Sequence, residues 1–223
     1  MDLLLLAVPG VNLLILAGLI CLAAYLFGSV PSAVWAGRWF FGIDVRDHGS
    51  GNAGATNVYR VLGLRTAIAV LLTDALKGAA AVSLAWAVRD LFPAEEWFVM
   101  YRFLLGLLAL LGHVFPLFAG FRGGKGIATL AGIIVVLFPG AILICLGIFV
   151  LVFLGSRYVS LGSMLAAISF PVVVIWILPD PLLPEILFSL VVAVFVPLTH
   201  IKNIRRLLRG QENKIRFSKK AGG

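Results

Sequence analysis

The chain is poor in charge. Asp, Glu, Lys and Arg make up 13% of its 223 residues, against 61% hydrophobic ones. Soluble domains carry about 25% charged and about 45–50% apolar residues, so this balance excludes a soluble globular fold. Cysteine is scarce as well. Cys21 and Cys145 both lie in apolar runs without metal-ligand spacing and read as packing residues. No Asp-rich cluster exists, so neither a metal nor a cofactor is expected, and a Mg-dependent alcohol phosphotransferase is set aside. No His-x4-Asp acyltransferase motif is present: five residues after His48, His113 and His200 come Ala53, Phe118 and Arg205. No serine has a His and an acid nearby in a hydrolase-like context. The first residues lack a basic segment, so 1–18 read as a retained lead-in with a break at Pro9-Gly10 rather than as a cleaved signal. No internal repeat is visible, which argues against a transporter built from inverted halves.

What is present is a series of long apolar runs. They predict helices over approximately 11–37, 66–88, 98–118, 127–138, 140–156, 159–178 and 183–200. The expected fold is an all-α integral membrane protein with about seven transmembrane helices in a single polytopic domain, 1–223. The fourth and fifth helices share one stretch, broken at Pro139-Gly140. Arg122 and Lys125 precede that stretch and Arg157 follows it, so it reads as a hairpin of two short helices with both ends on one side.

Charge asymmetry gives the orientation. Arg38, Arg46, Arg60 and Arg65 lie in the first loop. Lys202, Arg205, Arg206, Arg209, Lys214, Arg216, Lys219 and Lys220 lie in the tail. With the second and third loops, these make 15 of the 18 cations on one face. The other face carries Asp90, Glu95, Glu96, Asp180 and Glu185. Lys and Arg collect on the cytoplasmic side, so the N-terminus is expected outside and the C-terminus in the cytoplasm. The net charge of +8 then reflects this rule and affinity for anionic membrane lipid, with no nucleic acid partner.

Three polar segments interrupt the apolar pattern, all on the expected cytoplasmic side. The first runs from His48 to Asn57. Gly49-Ser50-Gly51-Asn52-Ala53-Gly54 fits a dinucleotide fingerprint by letter, but a membrane span precedes it and no βαβ unit surrounds it. What survives is an anion-binding nest: glycines turn N–H groups inward, Ser50, Gly51, Asn52, Thr56 and Asn57 add donors, and Arg60 adds a fixed charge. The second is Gly123-Gly124-Lys125-Gly126. It is not a Walker A loop, because Ala119 stands at the required glycine and Gly126 replaces the Ser/Thr. It reads as a second nest opening a helix, with Lys125 as a point charge. Nearby His113 reads as a packed, hydrogen-bonded histidine. The third places His200 and Asn203 on one helix face, with His200 able to act as general base or phosphate donor. Asp74 and Lys77, three residues apart inside a span, read as a structural ion pair. Glu212 reads as a tail anchor paired with a cation. Two phosphate cradles and an apolar body suit chemistry on an anionic, lipid-related substrate. A headgroup transporter is the alternative, with Asp74 and Lys77 as the charges to line its path.

These segments resemble the bacterial acyl-phosphate-dependent glycerol-3-phosphate acyltransferases of the PlsY family, over nearly the whole chain. The motifs are Gly49-Ser50-Gly51-Asn52 through Asn57 with Val58-Tyr59-Arg60, Gly112-His113 through Pro116 with Gly123 through Thr129, and His200-x-x-Asn203 with Arg206, Gly210 and Glu212. Asp74-x-x-Lys77-Gly78 and Arg157-Tyr158-Val159-Ser160 are secondary similarities. The resemblance implies acyl transfer from acyl phosphate to the sn-1 hydroxyl of glycerol 3-phosphate, with no cofactor, the first acylation of phospholipid synthesis. Ser50 and Arg60 would be an essential pair, the glycines around Lys125 would hold the glycerol 3-phosphate phosphate, His200 and Asn203 would serve the active site, and Glu212 would support structure. It also implies the inner membrane, a cytoplasmic-face site and a functional link to an enzyme that makes acyl phosphate. Thr199 departs from the basic residue that members often carry there.

Overall fold

Proline and glycine decide where the apolar runs break. The computed structural model describes residues 9–215, so Arg216, Lys219, Lys220 and residues 1–8 of the expected lead-in lie outside the described residues. Helix α1 (Pro9–Ser29) stops before Val30-Pro31, and α2 (Ser32–Phe41) leaves at 45°. The expected single helix over 11–37 is therefore two. Pro31 has no N–H to continue the ladder and pushes Val30 out of the α region. A 3₁₀ turn (Val45–Asp47) and a short helix α3 (Ala55–Leu62) follow, then α4 (Leu64–Ser83), which tightens into 3₁₀ geometry over Leu84–Leu91. Helix α5 (Glu95–Val114), a 3₁₀ turn (Leu117–Ala119) and α6 (Ile127–Leu137) complete a first compact unit that ends at Pro139.

Its packing depends on reciprocal glycines. A Cβ on Gly28 would strike the Ala109 carbonyl, and one on Gly112 would strike that of Tyr25, so α1 and α5 cross with backbones in contact. Gly78 against Thr129, and Gly132 against Ala75, do the same for α4 and α6. Small residues let membrane helices approach where lipid supplies no hydrophobic drive. These crossings place His113 at the end of α5 and Thr129 at the start of α6.

The second unit runs from Gly140. It holds α7 (Pro139–Ser156), α8 (Val159–Ile177), α9 (Leu183–Thr199) and α10 (Ile201–Leu208). Helices α8 and α9 pack on each other, while Leu143 and Leu151 of α7 stay exposed, as residues facing lipid do. Helix α10 turns off α9 by 61° at His200.

All seven apolar runs are helical. Among the described residues, four helices are long and apolar enough to cross a membrane, and up to six if each bent pair is one span. At about 1.5 Å per residue, α6 extends only about 16 Å, short of a bilayer core of about 30 Å.

Candidate active site

The first glycine segment is folded around one side chain. Gly49 and Gly51 have φ of 62° and 71°, left-handed values that favour glycine. The loop then curls over the start of α3, where Asn57 is 1% exposed. Its carbonyl oxygen accepts from the Ser50 N–H (2.8 Å) and the Ser50 hydroxyl (3.1 Å). Its NH₂ donates to the carbonyls of Val45 (2.8 Å) and His48 (3.1 Å). A carboxamide has two acceptor sites and two donors, so Asn57 is filled. It braces the loop and orients Ser50 and has no bond left for a phosphate, which replaces the expected role. Ser50, Asn52, Thr56 and Arg60 are half-buried and Gly51 is exposed.

Arg46 ties this loop to the next. Its Nη1 donates to the carbonyls of Ala119 (2.8 Å) and Arg122 (3.1 Å). Its Nε and Nη2 grip Asp44 at 3.0 and 2.7 Å, and Arg38 Nη2 reaches the same carboxylate at 2.9 Å. Hydrogen bonds from the Arg46 guanidinium hold the Asp44 carboxyl well below the usual carboxylate range, against an opposing effect of partial burial. The sequence counted Arg46 only as a loop cation. Its reach across more than seventy residues leaves no local signal.

The second glycine segment lies against the end of α5. The Gly123 N–H donates to the Val114 carbonyl (3.1 Å) and the Gly124 N–H to that of His113 (3.2 Å). Those two amides are therefore engaged, and the expected nest built from them is revised. Their missing side chains permit the close fit: a Cβ on Gly124 would meet His113 Nε2 and the Ala53 carbonyl. The N–H groups that a helix leaves without intrahelical partners are those of the first turn of α6, beside the half-buried Lys125 and the buried Gly126.

Beneath this loop sits a buried polar cluster. Lys77 and Asp74 pair at 2.8 Å, their side chains 7% and 2% exposed. His113 Nδ1 is 3.0 Å from Thr129 Oγ1 and 3.7 Å from Asp74 Oδ1. A narrow cavity among Ser32, Asp74, Lys77, His113 and Gly124 has room for about one water.

In the second unit, His200 is 2% exposed at the α9–α10 bend. Its Nδ1 lies 2.8 Å from the Val196 carbonyl. A carbonyl only accepts, so Nδ1 carries the hydrogen and Nε2 is the basic nitrogen of the neutral ring. Asn203 faces inward, and its Nδ2 donates to Glu212 Oε1 at 2.7 Å. Arg206 Nε reaches Glu212 Oε2 at 2.8 Å, and Ser160 Oγ donates to Oε1 at 2.9 Å. Burial alone would raise the Glu212 carboxyl; the bonds from Asn203, Arg206 and Ser160 together lower it below the usual range. The tail beyond α10 is held further by the Ile215 N–H on the Arg157 carbonyl (3.0 Å) and by Lys214 over the Tyr158 ring (5.2 Å). Among the described residues, no three His, Cys, Asp or Glu side chains gather as a metal site.

Of the expected site residues, the first unit holds Ser50, Gly51, Asn52, Thr56, Asn57, Arg60, Asp74, Lys77, Gly123, Gly124, Lys125 and Gly126. The second holds His200, Asn203 and Glu212. Of the cluster partners, Thr129 and Ser160 lie in the motifs that carry the resemblance, whereas Ser32 had no signal in the sequence.

Known proteins resemble the chain in sequence and in fold. The family model described as glycerol-3-phosphate acyltransferase matches residues 18–210. A glycerol-3-phosphate acyltransferase of Chlorobium limicola is 43% identical, covering 88% of this chain and 95% of the relative. One from Fusobacterium nucleatum is 45% identical, covering 86% and 95%. A crystal structure of PlsY, an integral membrane glycerol 3-phosphate acyltransferase in its glycerol 3-phosphate form, superposes with a TM-score of 0.78 at 32% identity, covering 90% of this chain and 96% of that one. Its lysophosphatidic acid form gives 0.77. The chain thus belongs to the glycerol-3-phosphate acyltransferase family, as a multi-pass membrane acyltransferase of the PlsY kind.

Proposed function

We propose that the chain transfers a fatty acyl group from acyl phosphate to the sn-1 hydroxyl of glycerol 3-phosphate, giving 1-acyl-glycerol 3-phosphate and phosphate. The observation that carries this reading is the Ser50 loop, locked by Asn57 and strapped by Arg46 to a second glycine loop bearing Lys125. Both substrates carry phosphate, and both loops bring cations and helix N-termini to the same end of the first unit. The substrate hydroxyl attacks the acyl carbon, the bond from that carbon to the phosphate oxygen breaks, and phosphate leaves with the electron pair. An acyl phosphate is a mixed anhydride with a good leaving group, so positioning and charge stabilisation outweigh nucleophile activation. Arg60, Lys125 and the first turn of α6 hold phosphate. Ser50 and Asn52 orient substrate and the developing oxyanion. The hydroxyl proton goes either to His200, whose Nε2 is the basic nitrogen, or to a substrate phosphate; Asn203, three residues after His200, is held by Glu212. The loop and tail cations support a site at the cytoplasmic face of the inner membrane, with the N-terminus outside. Acyl phosphate then comes from a separate enzyme that makes it, and the acyl chain is presented by membrane lipid.

The test supplies purified protein in lipid with labelled glycerol 3-phosphate and either palmitoyl phosphate or palmitoyl-CoA. Product from palmitoyl phosphate alone, acylated at sn-1, is the expected result. Product from palmitoyl-CoA alone would sink the donor assignment. For the proton, His200→Ala with lower kcat and unchanged KM supports the histidine, while a raised KM alone assigns the proton to phosphate.

A further inference from the structure

Two charges inside α4 hold both sides of the α1–α2 break. Lys77 Nζ donates to the Val30 carbonyl at 2.8 Å, where α1 has ended. Asp74 Oδ1 accepts from Ser32 Oγ at 2.7 Å, where α2 begins. An ion pair inside a membrane span is costly, and apolar side chains of similar volume would pin helices as well. The charges add direction. Asp74 faces His113, whose Nδ1 also meets Thr129 of α6. The opposite ring nitrogen, Nε2, abuts Gly124, and the Gly124 N–H bonds back to the His113 carbonyl. A continuous polar path therefore runs from the middle of α4, through α5, to the second glycine loop.

We propose that Asp74 and Lys77 are positioning residues for the substrate phosphate: they fix the His113 ring, and through it the seat of Gly123-Gly124-Lys125. They touch no substrate. This inference rests on the proposed phosphate role of Lys125 and the first turn of α6, taken, as the family resemblance implies, for the phosphate of glycerol 3-phosphate. A displacement of about 1 Å in a positioned group is enough to cost up to about 100-fold in rate, so a shallow change under the loop is legible in kinetics.

The test measures KM for glycerol 3-phosphate and for acyl phosphate, with melting temperatures, in full-length protein in nanodiscs. Asp74→Asn alone strands a buried ammonium, so the decisive variant is the double Asp74→Asn, Lys77→Met, which removes both charges. The expected result is a double variant that melts near the parent, with KM for glycerol 3-phosphate raised about tenfold and KM for acyl phosphate within about twofold. His113→Gln raises the same KM, and adding it to the double variant gives no further rise, because the residues act in series. A folded double variant with the parent's KM for glycerol 3-phosphate, or one with both KM values raised equally, overturns the proposal. If the double variant does not fold, His113→Gln and Thr129→Val decide: the parent's KM in both overturns it, and a selective rise supports it. Lys125→Ala separates the two layers of argument. An unchanged KM for glycerol 3-phosphate there removes the phosphate reading and this inference with it; a raised KM there with none in the double variant removes the inference alone.

Discussion

Asp74 and Glu212 are built alike and placed differently. Each carboxylate gathers a serine hydroxyl, a cation and a third polar side chain. For Asp74 these are Ser32, Lys77 and His113. For Glu212 they are Ser160, Arg206 and Asn203. The first sits within a membrane helix and joins four helices around a break. The second ties a polar tail to the first turn of α8 and to α10, and its cation is one-third exposed. The comparison separates two uses of one motif. Inside the span, any unmatched charge is stranded, so the group is all or nothing. In the tail, the carboxylate is buried too, at 4% exposed, but its cation reaches water, so a lost Arg206 bond can be replaced.

The two sites diverge most when each carboxylate is removed. Asp74→Ala should cost about 3–5 kcal/mol, because Lys77 is left buried without its counter-charge. Thermal unfolding in detergent checks this, and a change below about 1 kcal/mol would mean that water reaches Lys77. Asn57→Ala supplies a neutral third case. It removes four bonds without stranding a charge, and releases Ser50. The expected result is about a 100-fold fall in kcat with a smaller change in stability. Glu212→Gln should cost about 1–3 kcal/mol and act locally, read as faster proteolysis beyond α10. The smallest effect is reached by acid alone. The Glu212 carboxyl is lowered from its ordinary 4.5, so its contribution is fully present above that value. It is lost as pH falls below about 4.5 and through the lowered value. Tail protection measured from pH 7 downward should therefore hold to about 5 and then fade; fading near neutrality would contradict the direction of the shift.

The spans were legible because long apolar runs carry a strong signal. The break within 11–37 was not placed, since hydropathy runs smoothly across Val30-Pro31-Ser32; Pro31 was the available clue. Helix α3 was hidden by the Gly and Asn around it, although Val58, Val61 and Leu62 recur at helical spacing. The polar segments were legible as places. The job of each residue within them was less so. Gly123 and Gly124 read as donors by composition, yet their value is the absent side chain that lets His113 close on them. Asn57 reads as a donor too, and its four bonds are spent on the loop. Composition reports which groups are present, whereas who uses them depends on partners brought from distant sequence, as with Arg46 and Ala119.

The reciprocal glycines also set a timetable. Helix α1 pairs with α5, and Tyr101 bonds the Ala17 carbonyl 84 residues earlier in the chain. At about 5–20 residues per second, synthesis of that interval takes on the order of several seconds. Until α5 is made, the Gly28 surface of α1 lacks the partner it has in the folded protein. Helix α4 must likewise wait for α6. The nascent protein therefore depends on whatever shields those faces in the meantime, and a substitution at Gly28 or Gly112 would act first on biogenesis, before any effect on the mature enzyme could be seen.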